Sequence, residues 1–176
     1  GEDLQGFTSS QIGSLSYAQL RVIETGSIVN LTTVHIAAMN SLQISALNTA
    51  QIVALNTAQI RAIGSLSGLT ASQMAAVEVD DLEGFSTAQI SSLSSLQVAA
   101  LTGFAAMSSA QFSAFATLST TQIQELKIGQ TSQIQALNSA QIRALSSLQI
   151  AALNSNQIAA IESSDLQAMS TSQIAS

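Results

Sequence analysis

Asn48-Thr-Ala-Gln-Ile-Val-Ala-Leu55 is followed directly by Asn56-Thr-Ala-Gln-Ile-Arg-Ala-Ile63. The two stretches are one eight-residue unit written twice, and its positions are labelled a to h. Position a is Asn, Ser or Thr. Position b is mostly Ser or Thr, and c is Ala, Ser or Leu. Position d is Gln in most units, e is usually Ile, f varies, g is mostly Ala, and h is Leu or a similar apolar residue. A fixed short period is the mark of a repeat architecture, in which each unit buries its apolar face against its neighbours.

Outward from that pair, complete octads fill 8–63, 70–101, 108–115, 119–126 and 130–169. Partial units occupy 1–7 and 170–176. Segments 64–69, 102–107, 116–118 and 127–129 interrupt the count. Residues 1–176 therefore read as a single repeat array. Three residues make about one helical turn, so the short inserts are expected to lengthen a helix. A longer period lies above the octad. Glu2-Asp-Leu-Gln-Gly-Phe7, Asp80-Asp-Leu-Glu-Gly-Phe85 and Ser164-Asp-Leu-Gln-Ala-Met169 are versions of one segment, starting 78 and 84 residues apart. This spacing suggests duplication of blocks of about ten units. Both ends of the chain fall inside an octad, and the expectation is a longer parent protein.

The octad carries its own helix-start signal. Asn, Ser and Thr are preferred N-cap residues. A Gln three residues later has the capping-box spacing, so its side chain can reach back to the N-cap backbone. Gln51, Gln59, Gln141 and Gln149 are expected to make that bond. Positions b to h then supply about two turns, roughly 10 Å of helix. Positions e and h are three apart and share a face. Burial is therefore expected for Ile44, Ile52, Ile60, Ile134, Ile142 and Ile150, and for Leu47, Leu55, Leu137, Leu145 and Leu153.

Charge placement agrees with helices starting at a. Glu2, Asp3, Glu24, Glu78, Asp80, Asp81, Glu162 and Asp165 sit at a, c or d, while Arg21, Arg61 and Arg143 sit at f. Acids near a helix N-terminus and bases nearer its C-terminus suit the helix dipole. Gly64 and Gly129 follow helical stretches, where a left-handed cap residue belongs.

The fold expected is all-α: a solenoid, or superhelix, of short two-turn helices with one helix per octad. One long helix is a rival, but eight residues at about 100° each leave the apolar stripe drifting by about 80° per unit. A β-solenoid is the other rival, and its strands would want period-two alternation. An isolated two-turn helix is unstable in water, so each unit depends on stacked neighbours.

Composition narrows the function. The chain is 47% hydrophobic and only 8% charged, with net charge −6. Four cations cannot build a phosphate-binding surface, so nucleic acid is not expected as a partner. There is no Cys, which removes disulfides and thiolate metal sites. No apolar run reaches the ~20 residues needed to span a bilayer.

The repeats resemble the Leu-(Ser/Thr)-x-x-Gln-(Ile/Val)-x-Ala-Leu arrays of very large secreted or surface proteins of Gram-negative bacteria, adhesin or haemagglutinin-like. That resemblance implies a secreted or cell-surface location and an adhesive or filament-forming role. Leu47-Asn-Thr-Ala-Gln-Ile-Val-Ala-Leu55 also resembles the first helix of a TAL-effector repeat. The Pro and the roughly thirty-residue module of that repeat are absent here, so DNA binding does not carry over.

No catalytic, cofactor-binding or metal-ligating residue is expected, and the chain is read as no enzyme. His35, the one histidine, stands at d in place of Gln and has no Cys or second His to ligate with. Glu78, Asp80, Asp81 and Glu83 form the densest acidic cluster, but without calcium-loop spacing. The Ser residues lie in no nucleophile elbow. Asn30-Leu-Thr32 is a lone glycosylation sequon. The Ser/Thr residues at b read as a solvated face. Phe7, Phe85, Phe104, Phe112 and Phe115 read as core. The apolar inserts 64–69 and 102–107 suggest exposed subunit contacts.

The partners expected are copies of the chain itself, in a homopolymer or filament, and a host or cell-surface glycan or protein. Two functions follow. One is a structural protein of an extracellular filament or matrix, self-associating through apolar solenoid surfaces. The other is a non-catalytic stalk or binding module of a large secreted adhesin.

Overall fold

A computed structural model describes residues 4–103, 107, 108, 111, 134, 135 and 137–176. Among them the chain is all-helical. One short helix stands in each fully described octad, as in Thr49–Val53, Thr57–Ala62 and Ser139–Ala144. Neither rival fold is found: the described residues hold no strand and no long helix.

The helices are four to six residues long, shorter than the two turns expected. The reason lies at h. Leu47, Ile63 and Leu101 have left the helix, with φ near −63° and ψ of 137°, 118° and 140°. The N-cap that follows is also extended, as at Asn48 (φ −80°, ψ 168°). Two successive extended residues make a corner, and the next helix starts in a new direction.

Three helices close one coil. Helix Tyr17–Arg21 packs on Ser41–Ala46, Thr25–Ile28 on Thr49–Val53, and Thr33–Ala37 on Thr57–Ala62. Each partner lies three units further along. Each octad is thus one side of a three-sided coil, and successive coils stack side on side. The same spacing recurs near the C-terminus, where Ser139–Ala144 packs on Ser163–Ala168 and Ser147–Ala151 on Thr171–Ile174.

Positions e and h line the inside of the coil. All eleven Ile and Leu residues named above are buried, the most exposed being Leu153 at 8%. Burying an aliphatic side chain contributes about 1.5–3 kcal/mol, so each side adds two such contributions to one continuous core. Phe85 is buried and Phe7 packs half-buried against the same core. Phe104, Phe112 and Phe115 lie outside the described residues.

Segment 64–69 breaks the octad pattern yet serves as a full side. Its 3-10 turn Leu66–Gly68 packs on Ser41–Ala46, three sides earlier. The exposed apolar contact expected of the inserts is not found at Leu66, Leu69 or Met107, which are 0%, 3% and 3% exposed. They occupy the inward e and h places of a shortened side. Gly64 does not adopt the left-handed cap expected of it; among the described residues only Gly103 has positive φ, at 75°. Gly129 and the inserts 116–118 and 127–129 lie outside the described residues.

Glycine at g has a different use. Gly68 and Gly84 end 3-10 sides, where the backbone comes close to position b of the side beneath. A Cβ on Gly68 would strike the backbone of Ser41, with Ser41 Cα at 2.9 Å. A Cβ on Gly84 would lie 2.7 Å from Thr57 O and 3.2 Å from its Cγ2. Both obstacles include backbone, which cannot swing away. Gly84→Ala should therefore cost about 1–3 kcal/mol by overpacking, read as a lower urea midpoint. Gly26→Ala, where a Cβ meets nothing within 4 Å, is the control and should leave the midpoint unchanged or raise it.

Candidate functional site

The repeated polar group of this chain is the Gln at d, and it does two jobs. Its Oε1 accepts the N-cap N–H of its own side: Asn48 N donates to Gln51 at 2.7 Å, Asn56 N to Gln59 at 2.9 Å, Asn138 N to Gln141 at 2.9 Å and Ser146 N to Gln149 at 2.8 Å. The N-cap side chain returns a bond from the Gln backbone N–H, so the capping box is complete at all four. The expectation from spacing holds.

The amide nitrogen reaches elsewhere. Gln51 Nε2 donates to Leu20 O at 2.9 Å and Ile23 O at 2.7 Å, the e and h carbonyls of the side four earlier. Gln59 Nε2 repeats this on Ile28 O and Leu31 O at 3.1 and 2.7 Å, and Gln173 Nε2 on Ile142 O and Leu145 O at 3.0 and 2.7 Å. The side four back ends at the corner where the side three back, the one directly beneath, begins. One amide therefore caps its own helix and pins its coil to the corner below. The h carbonyl has left the helix and would otherwise be buried with no donor, so the bond answers a local need. Gln51, Gln59, Gln141 and Gln149 are 0–2% exposed.

The clamp counts sides, not residues. Gln97 Nε2 donates to Leu66 O and Leu69 O, across three octads from the shortened side. Gln111 Nε2 donates to Leu82 O and Phe85 O over separations of 29 and 26. These are two fewer than the usual 31 and 28, as a six-residue side at 102–107 requires.

Where d is Asp, a different bond joins the coils. Asp81 Oδ1 accepts from Thr57 Oγ1 at 2.6 Å, and Asp165 Oδ1 from Ser139 Oγ at 2.6 Å. Both donors are position b of the side directly beneath. Both acids are buried, and the N-cap residues of their sides, Glu78 and Glu162, make no side-chain cap bond. The sequence offered a signal for this, since acid at a and Asp at d occur together.

The family model of the ALTTAQ repeat matches residues 20–57, 35–65, 74–103 and 130–160, together more than half of the chain. The chain belongs to the ALTTAQ repeat family. The six letters fall on Ala54-Leu-Asn-Thr-Ala-Gln59, so the last letter is the clamp residue. No curated protein and no solved structure matches the chain.

Other residues singled out by sequence fall into place on the ALTTAQ coil. His35 acts as a Gln substitute: its Nδ1 accepts Thr32 N–H at 3.3 Å, and Thr32 Oγ1 accepts His35 N–H at 3.2 Å. An accepting Nδ1 leaves the ring proton on Nε2. The acidic cluster is not one site. Asp81 turns inward to Thr57, while Glu78, Asp80 and Glu83 are exposed. Among the described residues no three His, Cys, Asp or Glu side chains converge on a metal-sized position. Asn30 of the sequon is exposed and donates to Gly26 O at 3.1 Å. No described helix is long and apolar enough to cross a membrane.

The outer surface differs from face to face. Sides 24–31, 48–55, 70–77 and 94–101 stack on one another, since Thr25–Ile28 packs on Thr49–Val53, that on Ala71–Ala76, and that on Ser95–Ala100. These four sides hold one charged residue, Glu24. They expose Val29 (49%), Val53 (43%) and Leu96 (71%), with Ala75 also exposed. The face of 16–23, 40–47, 64–69 and 86–93 also holds one charged residue, Arg21, and exposes Val22 (79%) and Leu42 (78%), while Arg61 and the acids of 78–85 stand on the third face.

Proposed function

We propose that this ALTTAQ array is a structural protein of a bacterial extracellular filament or surface matrix, whose copies associate through apolar faces of the coil. The observation that carries the reading is the nearly uncharged face formed by 24–31, 48–55, 70–77 and 94–101. Val29, Val53 and Ala75 recur along it at position f, once per coil, and Leu96 adds an exposed side chain at position c. A face with a period of one coil matches a second copy of itself at every coil. Net charge −6 gives little repulsion, and salt screens it within about 8 Å at physiological strength.

The secreted or surface location rests on the resemblance of the octads to arrays in large Gram-negative surface proteins. The second reading, a stalk of a secreted adhesin, draws on the same resemblance and on the clamp. A bond repeated between successive coils suits a stiff spacer as well as a filament.

Light scattering over a dilution series tests the choice. The wild-type array should grow in mass with concentration and show filaments or sheets by electron microscopy. Val53→Lys combined with Leu96→Lys places charges on exposed positions of the apolar face and should hold the protein monomeric with its helical content unchanged. A wild-type monomer at every concentration contradicts self-association and favours the stalk.

A further inference from the structure

Position b is small or β-branched on almost every side: Ser9, Thr25, Thr33, Ser41, Thr49 and Thr57 are the first examples. Side 16–23 breaks this with Tyr17, the one tyrosine in the chain. Its ring is 52% exposed, so core packing does not account for it. Arg21, one turn on, lies with Cζ 5.6 Å from the ring centroid and donates weakly to the Tyr17 hydroxyl at 3.5 Å. Among the described residues no carboxylate pairs with this guanidinium.

Tyr17 and Arg21 form one end of a groove of about 190 Å³ that crosses a corner of the coil. Its floor is the turn from Ser45 to Thr49, and its far wall is Thr70 and Ser72, from the start of the side stacked above 48–55. The Ser45 hydroxyl donates to Leu42 O at 2.7 Å, which leaves it free to accept, and the Thr70 hydroxyl accepts from Gln73 N at 3.2 Å. The Thr49 and Ser72 side chains are exposed and make no bond among the described residues. The buried Gln73 clamp on Ile44 O, Ser45 O and Leu47 O holds floor and far wall together.

We propose that this groove binds an acidic pyranose, a hexuronate unit of a polysaccharide. A pyranose has a face of C–H groups that stacks on an aromatic ring, and an edge of hydroxyls that both donate and accept. Tyr17 supplies the ring, and Ser45, Thr49, Thr70 and Ser72 supply partners for the edge. Arg21 selects for acid: a planar guanidinium with two parallel donors fits a carboxylate and holds it more strongly than a neutral hydroxyl. The groove is the size of one sugar ring, so the ligand is met one unit at a time and affinity per site is weak. The inference goes beyond the structural role and does not depend on it.

The full chain has no Trp, so tyrosine fluorescence and the Tyr ring signals in NMR report on Tyr17 alone. Titration with trigalacturonate should shift those signals saturably, and maltotriose should bind about tenfold more weakly or not at all. Arg21→Gln should remove the preference for the acidic sugar. Tyr17→Ser restores the common residue at b, so the array should melt as wild type while calorimetry shows binding lost. No saturable shift with trigalacturonate, equal binding of maltotriose, or unchanged calorimetric binding by the Tyr17→Ser chain would each overturn the proposal.

Discussion

Gln51→Glu should destabilise the array by roughly 3–5 kcal/mol at neutral pH. The carboxylate keeps the oxygen that accepts Asn48 N–H, so the helix start survives. Its second oxygen replaces an amide nitrogen lying 2.9 Å from Leu20 O and 2.7 Å from Ile23 O. Three oxygens then face one another with no hydrogen between them, at a fully buried position. Unpaired buried charge is among the costliest single changes a fold can suffer. Acid should restore part of the loss, because a protonated carboxyl can donate to one of the carbonyls. The sign follows from linkage: the folded variant holds its proton more tightly than the unfolded chain, so stability rises as pH falls. Gln11→Glu is the internal control. Gln11 caps its own helix in the same way, with Thr8 N–H at 2.8 Å, but is exposed, and the change should stay within about 0.5 kcal/mol. Urea denaturation followed by circular dichroism at neutral and acid pH measures both.

Deletion offers an effect of comparable size. Removing 48–55 takes out one whole side. Every following Gln still finds an e and an h carbonyl four sides back, because the clamp counts sides. The shortened array should keep a cooperative transition and helical content in proportion to its length, as nearest-neighbour stability in a solenoid implies. Removing only 52–55 leaves a half side. Ile52 and Leu55 are lost from the core, and the corner into Asn56 cannot form. The sides that follow are thrown out of register with the coil beneath, and several clamps fail together. That variant should lose cooperativity and expose amides to rapid hydrogen exchange well beyond residue 56.

These expectations separate what the sequence says from what it hides. The a-to-d spacing made the capping box legible, and all four Gln tested make it. The e and h positions made the core legible, because three residues apart on a short helix means one face. What pattern alone cannot carry is the number of sides per coil. That number follows from the corner, where two extended residues at h and a set the angle between helices. Without it, the Nε2 half of each Gln has no visible purpose. Segment 64–69 looked like an interruption for a similar reason. A side is defined by inward residues at e and h, and Leu66 and Leu69 supply both in six residues. Gly64 was misread because the octad corner is turned by extended residues, not by a left-handed glycine. The longer period was legible as blocks of about ten units. Since three sides close a coil, ten sides carry the segment of 78–85 one face round from Leu4–Gly6, the described turn of its counterpart.

The central claim is that three sides close a coil and that each Gln amide pins its coil to the corner four sides back. Long-range nuclear Overhauser contacts in the folded chain test it most directly. The account predicts cross-peaks from the Gln51 side-chain amide protons to Leu20 and Ile23, and from Gln59 to Ile28 and Leu31. Helix-to-helix contacts should fall three sides apart, as between Thr25–Ile28 and Thr49–Val53. Contacts confined to residues three and four apart, or side-chain amide contacts falling on a unit at any other spacing, would contradict it.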